Sequence, residues 1–155
     1  MTLFEKEKGH YVIDTSSLVA ISESGKHTTE LWSCVFKLID EGRLKTVLHA
    51  MREFEKVDPE GYLKLKPRAD KITVYTTNDL LLEAGRLSRL YPQMCRARGS
   101  YPGPADPYVV ALAKLNNHII VSDEGTARRK MPWVCQKENF TAPITVMELL
   151  KKECQ

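Results

Sequence analysis

His10-Tyr11-Val12-Ile13-Asp14-Thr15-Ser16-Ser17 sets a short apolar run of β-forming residues directly before a polar turn. It reads as a buried strand that ends at Asp14. Outward from it, the chain alternates. Residues Thr28 to Glu41 follow helical spacing, with Thr28 or Thr29 as cap, Leu31, Val35, Leu38 and Ile39 on one face, and Gly42 just past the end. Leu44 to His49 reads as a second strand, Ala50 to Val57 as a short helix, and Asp58-Pro59 as the start of a loop. Ile72 to Tyr75 reads as a third strand, and Asn78 to Tyr91 as a helix capped by Asn78 and stopped before Pro92.

Gln93 to Ala105, with Arg96, Arg98, Gly99, Pro102, Gly103 and Pro104, is too irregular for either element. Asp106-Pro107 then opens a helix, with proline at its first position. Val109, Val110, Leu112, Ala113 and Leu115 cover much of its circumference, so it is expected to be well buried. His118 to Ser122 is another buried strand, ending in Asp123-Glu124. Strands alternating with helices imply parallel pairing through right-handed crossovers, and therefore an α/β fold.

A chain of 155 residues, 43% apolar and 28% charged, is expected to be one domain with a real core. The formal charge of +3 permits a polyanionic partner without demanding one. Cys34, Cys95, Cys135 and Cys154 show no zinc spacing, and reduced thiols are the simpler expectation. Met1 to His10 is charged and lacks the apolar stretch of a signal peptide. No apolar run approaches the roughly 18 residues of a membrane span. A soluble protein of the cytoplasm, with no membrane partner, is expected.

The acidic residues carry the chemistry. Asp14 follows one strand, Asp123 and Glu124 follow another, and Asp106 begins a helix. In an open α/β sheet, ligands bind in the crevice beyond the carboxyl ends of the strands. Carboxylates crowded there repel one another unless a divalent cation compensates them. Oxygen ligands with few histidines favour Mg²⁺ or Mn²⁺ over zinc. Plainer readings stand beside this one. Asp14 can close a turn, Asp106 can cap its helix, and Asp123-Glu124-Gly125 can be a polar turn.

Val12-Ile13-Asp14-Thr15-Ser16-Ser17-Leu18, Asp106-Pro-Tyr-Val-Val-Ala-Leu-Ala113 and Ile119-Ile-Val-Ser122-Asp123-Glu124 resemble, in order, the three main signatures of the PIN domain. The nearest look-alikes are small prokaryotic PIN nucleases related to VapC-type toxins, and the likeness runs from Tyr11 to about Leu150. It implies a single PIN-like domain over residues 1–155, a three-layer α/β/α sandwich with a mostly parallel sheet. It further implies a metal-dependent endoribonuclease, the toxin of a toxin–antitoxin pair, with an RNA substrate, an antitoxin partner and a homodimeric state.

The resemblance assigns metal binding to Asp14 and Asp106 and an assisting role to Ser16, whose hydroxyl can equally cap the following turn. Toxin-type members carry a further acid in a short helix after the second strand. That maps to Glu53 rather than Glu55, although Glu53 also reads as a solvated helix-surface acid. The last signature registers Glu124 with the family acid, with Asp123 one position away as a substitute. Two rivals are a PIN scaffold that binds RNA or protein without cutting and a DNA-directed nuclease of the same fold. A HAD-type phosphotransferase is disfavoured, because Asp14-Thr15-Ser16 lacks the second aspartate of its motif.

Arg96 and Arg98 precede Asp106, and Arg128, Arg129 and Lys130 follow Glu124. If the acids converge, these groups flank them and suit a phosphate backbone, though each also reads as solvated surface. His10, His27, His49 and His118 lack metal spacing and receive no role. Trp32 and Trp133 read as packing residues, and Tyr101 either orders its loop or stacks on a base.

Overall fold

A computed structural model of the chain describes residues 8–26, 29–95, 104–124 and 131–154. Tyr11–Ile13 forms β1, and every residue of it is buried. It lies between β2 (Leu44–Val47) and β4 (Ile119–Val121), and β3 (Thr73–Val74) adds to the far side of β2. The order β3-β2-β1-β4 is parallel throughout, with Tyr11 opposite both Leu44 and Ile119. The chain therefore leaves β1 toward β2 and β3 and returns on the other side as β4. That makes the β1–β4 boundary the switch point at which a crevice opens.

Side chains of a strand alternate between faces, and the core divides accordingly. Tyr11 and Ile13 face one layer, formed by α1 (Thr15–Gly25), α2 (Thr29–Asp40), α4 (Pro59–Leu65), α5 (Ala69–Ile72) and α9 (Val146–Glu153). Val12 and Ile120 face the other, formed by α6 (Asn78–Leu90), α7 (Asp106–Asn116) and α8 (Met131–Lys137). Helix α3 (Leu48–Val57) serves both, sending Met51 and Phe54 to the first layer and Ala50 to the second. The fold is the expected three-layer α/β/α sandwich. Each fully buried Ile or Leu, such as Ile13, Leu18 or Ile120, contributes roughly 1.5–3 kcal/mol.

Several local expectations need correction. Thr15-Ser16-Ser17 is no loose turn. Asp14 caps α1, its side chain accepting from the Ser17 amide, and Leu18 and Ile21 bury the inner face. Asp58-Pro59 starts α4 rather than a loop, because Asp58 caps it and Pro59 fits its first turn. Thr77, not Asn78, caps α6, its side chain accepting from the Leu80 amide. His49 belongs to α3 rather than to the second strand, and Ile72 belongs to α5. Thr29 lies within α2, while Thr28 is outside the described residues. Gly42 does follow α2 in the left-handed region (φ 74°), which glycine occupies without strain.

Helix α7 is buried as expected through Val109, Val110, Ala111, Leu112 and Ala113, but Leu115 is 49% exposed. Trp32 is buried, and Trp133 packs edge-on against Tyr91. The cysteines depart from the expectation of free thiols. Cys34 of α2 and Cys154 after α9 form a disulfide with Cα atoms 5.9 Å apart, while Cys95 and Cys135 are free. The pairing follows from α2 and α9 lying side by side, a contact between positions 120 residues apart in the chain. Among the described residues, no helix is long and apolar enough to cross a membrane.

Candidate metal centre

The strand-to-helix junction at the carboxyl end of β1 builds the first part of the site. Because α1 begins directly after β1, Asp14 both follows a buried strand and caps a helix. Only 1% of it is exposed. One carboxylate oxygen accepts from the Ser17 amide (2.9 Å) and Ser16 Oγ (2.8 Å). The other accepts from Ser122 Oγ at 2.6 Å, across from the end of β4. Three donors fix the carboxylate plane.

Asp106 arrives from the other layer. It is the first residue of α7, and Ala105 before it has helical dihedrals and makes no side-chain cap. The expectation that Asp106 caps the helix is thus corrected: its side chain bonds to Glu124 instead. Glu124 follows β4, and its carboxylate also accepts from the Met131 amide at 3.1 Å, at the start of α8. Asp14, Asp106 and Glu124 each offer an oxygen, and these atoms lie within 4.8 Å of one another. A metal ion fits such a set of oxygen ligands.

Electrostatics marks the cluster as strained when empty of positive charge. Burial raises the Asp14 carboxyl to about 6, against hydrogen bonds from Ser122, Ser17 and Ser16, and the charge of Glu124 adds to the rise. Asp106 is held well above the usual carboxylate range, first by burial and then by Glu124, Asp14 and Glu53. Among the described residues, no lysine or arginine forms an ion pair with Asp14, Glu53, Asp106 or Glu124.

Glu53 stands beside the three rather than among them. The expectation of a solvated surface acid is wrong here, since Glu53 is only 7% exposed on the inner side of α3. It accepts from Thr15 Oγ1 at 3.2 Å and from the Ala105 backbone, so it ties the starts of α1 and α7 together. Burial and the charge of Asp14 raise its carboxyl, against those hydrogen bonds and Lys56. Glu55, the rejected alternative, points outward to Arg52 at 3.4 Å.

Asp123 lies outside the triad. Its oxygens accept from Ser17 Oγ (3.0 Å) and the Val146 amide (3.3 Å), which joins α1 to the start of α9. Ser16 does more than close a turn, because it donates to Asp14 and accepts from the Asp123 amide at 3.2 Å. Arg96, Arg98, Arg128, Arg129, Lys130 and Tyr101 lie outside the described residues. The serines Ser17 and Ser122 were not singled out from sequence. The available signal was their place in the two strand-end motifs, beside Asp14 and Glu124.

No curated protein matches this sequence. In fold, the chain is similar to the solved structure of PAE2754 from Pyrobaculum aerophilum, with 15% identity and a TM-score of 0.58. That likeness covers 94% of this chain and 90% of the other, and it supports the sandwich architecture alone. A family model, described as Domain of unknown function (DUF4411), matches residues 11–154. The chain belongs to the DUF4411 family.

Proposed function

We propose that this protein is a Mg²⁺- or Mn²⁺-dependent endoribonuclease that acts as the toxin of a toxin–antitoxin pair. One observation carries the metal-dependent part: three carboxylates from separate elements meet within 4.8 Å at the sheet's switch point. The fit to a hard divalent cation rests on an all-oxygen donor set and on carboxyls held above their usual range by burial. When bound, such a cation supplies a water of lowered pKa and a positive charge for phosphate oxygens.

The chain's own residues would do the rest. Asp14, Asp106 and Glu124 hold the cation, and Ser16, Ser17 and Ser122 keep the Asp14 carboxylate in one orientation. Glu53 supports from beside them, fixing the first turn of α7 and with it Asp106. Arg96, Arg98, Arg128, Arg129 and Lys130, adjacent in sequence to Asp106 and Glu124, are proposed to meet substrate phosphates. The choice of RNA, the toxin role, the antitoxin partner and the homodimer rest on the resemblance of the three motifs to PIN nucleases.

The test is incubation of the protein with matched single-stranded RNA and DNA, with Mn²⁺, Mg²⁺ or chelator. Internal cuts in RNA that need metal and vanish in Asp14→Asn are the expected result. Metal binding without cleavage of either strand would make the protein a non-cutting scaffold. Preferential cutting of DNA would replace the substrate.

A further inference from the structure

The opposite, amino-terminal end of the sheet carries a second polar cluster with different chemistry. His10 precedes β1 and His118 precedes β4. Tyr11 pairs with Ile119, so the two histidines sit one position upstream on neighbouring strands, in matching register. Their rings stack with centroids 5.1 Å apart and planes 20° from parallel. The backbone holds both in place: the Ile119 amide donates to the His10 carbonyl at 3.0 Å, and the His118 amide to the Ala113 carbonyl at 2.9 Å. Among the described residues, no hydrogen bond reaches either imidazole.

The pair opens onto a groove of about 480 Å³ lined also by Asn116, Asn117 and Lys8. An anion would find little fixed charge there, because Lys8 is already paired with Glu41 at 3.7 Å. A cation finds two imidazoles beside Asn116 and Asn117. Two metal–nitrogen bonds of about 2.0–2.1 Å place the two donor nitrogens at most about 4 Å apart, with the ion near the plane of each ring. The rings now lie nearly face to face, so the exposed His10 ring turns about its side-chain bonds to aim a nitrogen at an ion shared with His118. Imidazole nitrogens select borderline divalent ions, not Mg²⁺. The carboxylate triad is some 13 Å away, at about 3.3 Å per residue along β1.

We propose that His10 and His118 form a second cation site, specific for zinc-, nickel- or copper-type ions and separate from the carboxylate centre. Water and the asparagine amides complete its coordination. It joins the residues just before two neighbouring strands, so binding also clamps the amino-terminal end of the β1–β4 pair.

Zn²⁺ titration followed by calorimetry and by histidine NMR tests this on the full chain. The resonances of His10 and His118 should move on zinc addition while those of His49 stay. His10→Ala, at an exposed position, should keep the fold and lower zinc affinity at this site by at least about tenfold. His118→Ala should do the same, and Asp14→Asn should leave the histidine shifts intact. Unmoved His10 and His118 resonances in excess zinc would overturn the proposal. So would equal zinc-induced histidine shifts in wild type and His10→Ala, or their loss in Asp14→Asn.

Discussion

Glu138 and the Asp14 cluster are both carboxylate sites shielded from solvent, and the chain treats them in opposite ways. Just past α8, Glu138 accepts from Lys114 Nζ at 2.7 Å, from Tyr91 Oη at 2.6 Å and from Arg86. Burial pushes its carboxyl up, but these donors outweigh burial and bring it to about 2. Asp14 also accepts three hydrogen bonds, all from neutral groups, and there burial prevails. The protein brings cations to Glu138, which fastens α6 and α7 to the chain after α8. At Asp14, Asp106 and Glu124 none of the described lysines or arginines forms an ion pair. A group of acids so placed could hold a metal ion.

The largest effect that separates the two sites is catalytic. Asp106→Asn should lower metal-dependent RNA cleavage by at least about a thousandfold. Glu138→Gln should leave the rate unchanged. Because Asp106 makes no helix cap, Asp106→Ala should lose activity equally and carry no capping penalty. RNA cleavage assays on the three variants check this, and a slow Glu138→Gln enzyme would erase the contrast.

Next comes pH, with opposite signs at the two sites. A carboxyl whose folded pKa is raised binds its proton more tightly when folded, so it stabilises the fold below its unfolded pKa. For Asp14, that stability is lost as pH rises from 3.8 through about 6. The loss in metal-free protein amounts to at most about 3 kcal/mol. For Glu138 the order reverses: its stability is present above 4.5 and is lost as pH falls toward about 2. Calorimetric melts from pH 3 to 8 should show the neutral-side loss in chelator and its suppression in Mn²⁺. A neutral-side loss equally large with Mn²⁺ would contradict the assignment.

A smaller effect should follow from Ser122→Ala. It removes the 2.6 Å donor to Asp14 and the acceptor of the Glu124 amide. Orientation of two proposed ligands is lost, so Mn²⁺ affinity should fall about 10–100-fold, as read by calorimetric titration. Smallest, and confined to stability, is Glu138→Gln. Weakening the ion pairs with Arg86 and Lys114 in a partly screened position should cost about 1–2 kcal/mol in denaturant unfolding, with Mn²⁺ affinity unaltered.

The fold was legible where local pattern and tertiary role agreed. Tyr11–Ile13 and Ile119–Val121 are short apolar runs without alternation, and both are strands covered on two faces. Asp106-Pro107 announced α7 because proline belongs in a first turn. Helix α1 was hidden by Thr15-Ser16-Ser17, whose polar side chains suggest a turn. Those hydroxyls face the site rather than solvent, and Ser17 is fully buried. The same ambiguity moved the α6 cap from Thr77 to Asn78, two adjacent residues that both cap well.

At the site, the acids were legible from their places at strand ends and at the start of α7. Their surroundings were not. The burial of Glu53 depends on how α3 leans between the two layers, and the Asp106–Glu124 contact joins α7 to the end of β4. Neither can be read from local spacing. The separation of Glu124 from Asp123 has the same origin, since Asp123 is drawn to Ser17 and to the start of α9, which was not read from sequence.

Thermal unfolding near pH 7.5 with and without Mn²⁺ decides whether Asp14, Asp106 and Glu124 hold a divalent cation. Wild type should gain about 2.7 kcal/mol when Mn²⁺ is at a hundred times its dissociation constant. Asp106→Asn should melt at an equal or higher temperature than wild type without metal, because a buried charge is gone, and should gain little from Mn²⁺. An equal Mn²⁺-induced shift in both proteins would place the cation elsewhere.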